Sequence, residues 1–307
     1  FSLKLSKTPF SRPVLIVIDS LDRVDDSSWQ EFSTLQWLNH GGRNDVKIVI
    51  SSTPELKYRI ELPFLRKVKL GNLGDDAPTL INAQLKKANR RLCERQMQQL
   101  SNLVEKSNKS PLYLKTLGNI ISGLDSRQDI SELPHTLDSL VQYYCTKLAS
   151  PNKHGYQLVS HIIFWLATSN NGVVENDIAK MLSCDEVYIE NLKANSMHEL
   201  DNSEEGIVVP PIIWTRLRYD LDPLLRNENK YKIQWTTFFH PRIKQAVLRM
   251  FDDHQNDSDY LYHLLYKYYL KSYPNRQALL EGPHYLACGY RRGLVTKQEF
   301  LHHMEFN

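Results

Sequence analysis

None of the four cysteines, Cys93, Cys145, Cys184 and Cys288, stands in a CxxC pair. Scattered singly, they suggest neither a zinc cage nor a disulfide framework, and a reduced, cytoplasmic setting is the expectation. No apolar run approaches the roughly 20 residues that span a bilayer, so no membrane is expected as a partner. No signal peptide is visible. The first residue is Phe1, and the chain is expected to be a piece of something longer. Twelve glycines occur, yet none falls in a GxxxxGKS/T phosphate loop. Excess charge is scarce too. A net +3 is too little by itself to argue for nucleic acid or a membrane surface. No short repeat stands out, and the N-x-S sequences at Asn108 and Asn256 read as chance matches.

What is there begins with composition. At 41% apolar and 24% charged, 307 residues imply a soluble globular chain of two or three compact units. The first 74 residues alternate in the α/β manner. "VLIVID" (14–19) is a continuous apolar run rich in β-branched residues, as expected for a strand buried on both faces. A helix follows, capped by Ser27 or Ser28, with Trp29, Phe32, Leu35 and Leu38 at helical spacing. "VKIVISS" (46–52) is a second buried strand, and "FLRKVKLGNL" a third ending near Leu70. Strand, helix, strand implies parallel pairing with a right-handed crossover.

After Gly74 the pattern turns helical. One helix opens with Asp76 as cap and Pro78 in its first turn. "CERQMQQLSNLVEKS" is a second, and a third has Ser110 as cap and Pro111 at its first position. A fourth runs through "LDSLVQYYCTKLA". From about Gly155 come "YQLVSHIIFWLATSN", a short helix in "GVVENDIAKML", and a third in "DEVYIENLKANSMHEL" with Val187, Ile189, Leu192 and Met197 mostly inward. "RYDLDPLLRNEN" and "KYKIQWTTFF" read as a hairpin around an Asn-Glu-Asn turn. "HPRIKQAVLRMF" closes the set with Ile243, Val247 and Phe251 on one face. Three helices plus a hairpin is a winged-helix layout. The tail carries an aromatic-rich amphipathic helix around Tyr260, Leu261, Leu264, Leu265 and Tyr268, then further helical material.

The first strand runs straight into Asp19, with Asp22 three residues on. A strand carries its last residue to the carboxyl end of the sheet, where open α/β sheets bind ligands. Magnesium keeps its waters there and takes one or two carboxylates plus phosphate oxygens, and a second acid can orient the attacking water. The plain alternative is an aspartate that caps the next turn. The second strand ends in Ser51, Ser52 and Thr53, hydroxyls that can face a γ-phosphate or serve only the turn.

In order, "VLIVIDSLDRV", "VKIVISSTPE", "KSPLYLKTLGN" and "WTTFFHPRIKQAV" resemble the later half of a NACHT module. NACHT proteins belong to the signal-transducing STAND class of P-loop ATPases, and the likeness is to the telomerase-associated, NACHT–WD-repeat and nephrocystin-type branch. The ordered set carries the resemblance; no one motif does. It implies a partial P-loop NTPase parallel sheet at 1–74, a helical lid at 75–133, a winged-helix domain at 134–252 and a helical arm from 253 to 307. It also implies that Asp19 holds magnesium through water and that Asp22 helps polarise the attacking water. Ser52 and Thr53 become γ-phosphate candidates, Pro111 would pack on adenine, and His240 would reach the β-phosphate of ADP. Pro111 is equally an ordinary first-turn proline, and His240 equally a helix cap. The resemblance implies ATP or ADP with magnesium, partner proteins, and self-association through the nucleotide domain and arm.

The absent phosphate loop is the main departure from the family. In its sheet that strand lies between the sensor strand and the last strand, so the loop is expected from outside these residues, as is any ATPase activity. Two rivals stand beside the switch. A degenerate scaffold would keep the fold and work only through partners. A DNA-reading winged helix should carry a basic recognition helix. Acidic residues outnumber the one lysine of "DEVYIENLKANSMHEL", so nucleic acid is not expected. The basic stretch "KKANRRLCER" reads as a solvated helix face.

Overall fold

The computed structural model describes residues 14–21, 46–52, 66–124, 128–195, 202–203, 206–252, 255–272, 276–296 and 298. The chain falls into two units, Phe1–Leu70 and Gly71–Asn307.

In the first unit the β-branched runs form strands β1 (Val14–Ile18) and β2 (Val46–Ile50). They pair in parallel, with Val14 opposite Val46 and Ile18 opposite Ile50. Ile16, Ile18, Ile48 and Ile50 are half-buried, whereas Leu15, Val17 and Val49 are 62%, 65% and 53% exposed. Burial on both faces was expected; among the described residues the strands instead alternate, as a sheet covered on one face does. The expected third strand is not formed over 66–70, where the chain is exposed and makes no ladder. Val68 and Leu70 lie there among Arg66, Lys67 and Lys69, too little apolar surface to fix an edge strand. The helix expected around Trp29 to Leu38 lies outside the described residues.

The second unit is helical around one core. Helices α1 (Ala77–Lys87), α2 (Glu94–Lys106) and α3 (Pro111–Gly123) pack through Ile81, Leu85, Leu100, Leu103, Leu114 and Leu117. Asp76 and Ser110 hold the N-cap positions expected of them, but neither side chain makes a capping hydrogen bond. The short-range polar work at α2 is done by Gln96, whose Oε1 accepts from Cys93 N at 3.4 Å. Helix α4 (Leu137–Leu148) is capped by Thr136, whose hydroxyl accepts from Ser139 N at 3.3 Å. Helix α5 (Tyr156–Thr168) is central and buried on every face from Leu158 onward, mostly by apolar residues.

After α5, Gly172 turns the chain so that Val173 forms an antiparallel bridge with Thr236. Helices α6 (Glu175–Ser183) and α7 (Glu186–Asn195) follow. On α7 the buried residues are Tyr188 and Ile189, while Val187, expected inward, is exposed; Met197 lies outside the described residues. A short antiparallel pair, β3 (Asn202–Ser203) and β4 (Gly206–Ile207), precedes α8 (Pro211–Leu221). Helix α8 was not expected, since its last residues had been assigned to the hairpin. Pro211 at its first position and buried Trp214, Leu217 and Leu221 at helical spacing explain it.

The hairpin pairs β5 (Leu225–Lys230) with β6 (Ile233–Phe238). Its turn is Tyr231-Lys232, not Asn-Glu-Asn, and both turn residues have positive φ, 56° and 62°. That pair of angles matches the strand twist. The indole of Trp235 beside the turn donates to Lys230 O at 3.2 Å. Helix α9 (Pro241–Arg249) puts Ile243 and Val247 into the core. Helices α10 (Gln255–Lys271) and α11 (Arg276–Arg291) complete the unit. Pro283 sits inside α11 without ending it. The same hydrophobic cluster runs from Ala77 to Tyr285, across both 133/134 and 252/253. Among the described residues no helix is long and apolar enough to cross a membrane.

Candidate functional site

Parallel register decides what meets at the end of the first sheet. With Ile18 opposite Ile50, the next residues, Asp19 and Ser51, share a level. The Ser51 hydroxyl donates to Asp19 Oδ1 in a short hydrogen bond and accepts from Ser20 N at 2.8 Å. The backbone closes the same corner. Ser51 N donates to Ile18 O at 2.9 Å, and Leu21 N to Ser51 O at 2.9 Å. Ser20 takes a φ of 57°, a conformation that non-glycine residues rarely adopt. It turns the chain so that Leu21 is buried while Asp19 stays exposed. Strand, strained turn and hydroxyl thus hold one carboxylate in the open at the carboxyl ends of parallel strands, where α/β sheets bind ligands.

Ser52 is exposed beside this pair. Asp22 and Thr53 lie outside the described residues. Of the hydroxyls at 51–53, the resemblance pointed to Ser52 and Thr53, but Ser51 is the one that meets Asp19.

Hard oxygen donors suit magnesium, which takes one carboxylate and keeps its waters. Asp19 with its serine neighbours fits that demand when phosphate oxygens complete the shell. Among the described residues no three His, Cys, Asp or Glu side chains gather into a metal cluster, so a caged structural metal is not indicated there.

Pro111 and His240 belong to the second unit. Pro111 is the exposed first residue of α3. His240 is the N-cap of α9, where its Nδ1 accepts from Arg242 N at 3.1 Å. The two segments meet one turn on: Lys115 of α3 lies 4.6 Å over the ring of Phe239, next to His240. Asn119 of the same helix donates to Pro223 O at 3.0 Å, tying α3 to the approach of the hairpin. A cavity of about 210 Å³ between α1 and α2, lined by Pro78, Ile81, Asn82, Met97 and Leu100, ends at Lys109, short of Pro111.

Two buried acids escaped the sequence reading. Asp185, fully buried, accepts from His161 Nε2 at 2.6 Å, Tyr260 OH at 2.6 Å and Tyr188 N at 3.0 Å. Burial pushes its carboxyl up, but the hydrogen bonds from His161, Tyr260 and Tyr188 outweigh that and leave it below the usual carboxylate range. Glu281, also fully buried, accepts from Asn170 N at 3.0 Å, Asn171 N at 2.8 Å and the Asn171 amide at 2.7 Å. The contact with Tyr188 N is a local one at the start of α7, but the partners Tyr260 and Asn170–Asn171 lie far along the chain, and no local pattern announces those.

No family model matches the chain, and no solved structure matches it. Over 89 residues the chain is 29% identical to the human NACHT domain- and WD repeat-containing protein 1. That stretch is 29% of this chain and 5% of the relative, so the chain spans only a small part of that protein.

Proposed function

We propose that this chain is part of an adenine-nucleotide-controlled signalling switch of the NACHT kind, whose state governs assembly with partner proteins. The observation that carries the reading is the Asp19–Ser51 pair, a carboxylate and a hydroxyl presented at the carboxyl ends of two parallel strands. The partial similarity to a NACHT-domain protein supports it. In this reading Asp19 binds magnesium through water and Asp22 orients the attacking water. Ser51 fixes the Asp19 carboxylate, and Ser52 and Thr53 answer the γ-phosphate. Bound magnesium would neutralise phosphate charge. Pro111 meets adenine and His240 the β-phosphate of ADP. Helices α5, α6 and α8 with the β5–β6 hairpin make the winged-helix layout, α1 to α3 the lid, and α10 and α11 the arm. The reading requires a phosphate loop from outside these residues, which contain none.

The test is Asp19→Asn in the intact protein. Magnesium-dependent ATP hydrolysis falls to background while circular dichroism and Tm stay at wild-type values. Unchanged turnover overturns the assignment. A second reading, a scaffold that does not hydrolyse, draws on His240, whose ring nitrogen is engaged in capping α9. Nucleotide in the purified intact protein separates the two: bound ADP or ATP that exchanges with added nucleotide supports the switch, and nucleotide that is absent or never exchanges supports the scaffold.

A further inference from the structure

Helices α10 and α11 hold to each other by contacts of their own. The rings of Tyr269 and Tyr285 stack at 5.2 Å and 11°. Arg292 reaches back to Asp259 at 2.6 Å and Ser258 at 3.2 Å, and its guanidinium lies 4.3 Å over the Tyr262 ring. Leu294 N closes the end of α11 on Gly289 O at 2.9 Å. The pair is a helical hairpin with internal cohesion.

Its seat on the rest of the unit is of another kind. Apolar packing is substantial, with Leu261, Leu264, Leu265 and Tyr268 in the common core and Tyr262 edge to face on Phe164 at 5.0 Å, and the Tyr260 hydroxyl donates to Asp185 at 2.6 Å. The specific contacts, however, are polar and buried. Glu281 inserts a carboxylate into the 168–171 segment and takes all three of its hydrogen bonds there. His284, one turn on, meets Thr168 O at 3.0 Å. Lys244 of α9 approaches the same segment from its other side and donates to Ser169 O. Burial pushes the Lys244 ammonium down, and the charge of Glu281 works against that. The segment is anchored beneath by the Val173 bridge, with Val173 N to Thr236 O at 2.9 Å and Thr236 N to Val173 O at 2.8 Å.

A buried carboxylate costs desolvation that its hydrogen bonds roughly offset, so it fixes geometry more than it adds net stability. Undocking returns Glu281 to water, whereas losing Glu281 while docked strands the N–H groups of Asn170 and Asn171. The geometry points to the 168–171 segment as a catch. It holds the α10–α11 hairpin in one seating through Glu281 and lets the hairpin leave as a unit while α1 to α9 stay folded. This stands whether or not the protein handles nucleotide.

Hydrogen exchange on the intact protein tests it. In Glu281→Ala, amides of α10 and α11 exchange about 5- to 30-fold faster, as the loss of about 1–2 kcal/mol of buried hydrogen bonding implies. Amides of α3 to α5 keep their wild-type rates. Asn171→Asp sets a second carboxylate against Glu281 and releases the hairpin in the same way. Adding Glu281→Gln to Asn171→Asp removes the repulsion and slows exchange again, a coupling that two independent losses of stability would not show. If Glu281→Ala does not accumulate as folded protein, the Asn171→Asp pair of variants carries the test. Exchange that speeds equally from α1 to α11 overturns the catch. So do wild-type rates in α11 for the single variants, or an Asn171→Asp release that Glu281→Gln leaves unchanged.

Discussion

Truncating Asp185 to alanine removes one carboxylate and strands three donors at once. Tyr260 OH and Tyr188 N lose their acceptor. The ring of His161 lies between Gln157 O at 2.6 Å and the Asp185 carboxylate at 2.6 Å, so its Nε2 is left facing nothing. The side chains of His161 and Asp185 are 4% and 0% exposed, so water cannot replace the lost partner without opening the core. Breaking a buried pair from one side costs about 3–5 kcal/mol. For a unit of this size, that lowers Tm by about 6–20 °C at roughly 2–4 °C per kcal/mol. Asp185→Asn keeps the shape and one acceptor oxygen and should cost less, about 1–3 kcal/mol. Urea unfolding of the three proteins at pH 7 reads both values. A second measurement follows from the depressed carboxyl. A group held below its ordinary value, 3.8 for this aspartate, contributes stability that is fully present above that pH. The contribution disappears as pH falls through the lower native value. The gap between wild type and Asp185→Asn should therefore hold from pH 7 to about 4 and close below it. An Asp185→Ala protein within 1 kcal/mol of wild type, or a gap that does not narrow in acid, would refute this account of the cluster.

Gly172→Ala should cost about 1–3 kcal/mol in the same urea assay, because φ is 118° and an added Cβ would lie 2.5 Å from Thr236 O. An alanine variant as stable as wild type would show that the turn does not depend on glycine. His240→Ala should cost about 1 kcal/mol through loss of the α9 cap, and on the nucleotide reading it should speed ADP release from the intact protein. Lost stability with an unaltered ADP off-rate would make His240 a cap and nothing more.

Where the sequence was legible, local pattern and tertiary demand agreed. The β-branched runs at 14 and 46 became β1 and β2, and the apolar spacing of Ile243, Val247 and Phe251 put one face of α9 and the turn after it into the core. Legibility failed where a residue type was trusted over its partners. Asn227 and Asn229 suggested a turn by propensity, yet they lie within β5 opposite Thr236 and Gln234. The positive-φ work fell to Tyr231 and Lys232, which cross-strand pairing holds in place. Asp19 could be found because a strand end is a local feature. Asp185 and Glu281 could not, because their partners Tyr260 and Asn171 lie 75 and 110 residues away.

The third helix of the expected winged-helix layout was the one now labelled α7, but α8 stands between it and the hairpin, and this changes the argument about nucleic acid. Acidity of 185–200 counted against duplex binding, but the helix that leads into the hairpin is α8, with Arg216 and Arg218. On and around α8 several charges are paired within the protein. Arg218 is engaged by Glu175 at 3.1 Å and Asp222 at 2.7 Å, and Asp220 by His154 at 2.8 Å. On the hairpin, Arg226 and Lys230 both close on Glu228. Phosphate binding draws its affinity from cations that are able to release counterions. Arg218, Arg226 and Lys230 are engaged by neighbouring carboxylates, whereas Arg216 is exposed, and the exposed side chains beside it include Ile212 and Tyr219.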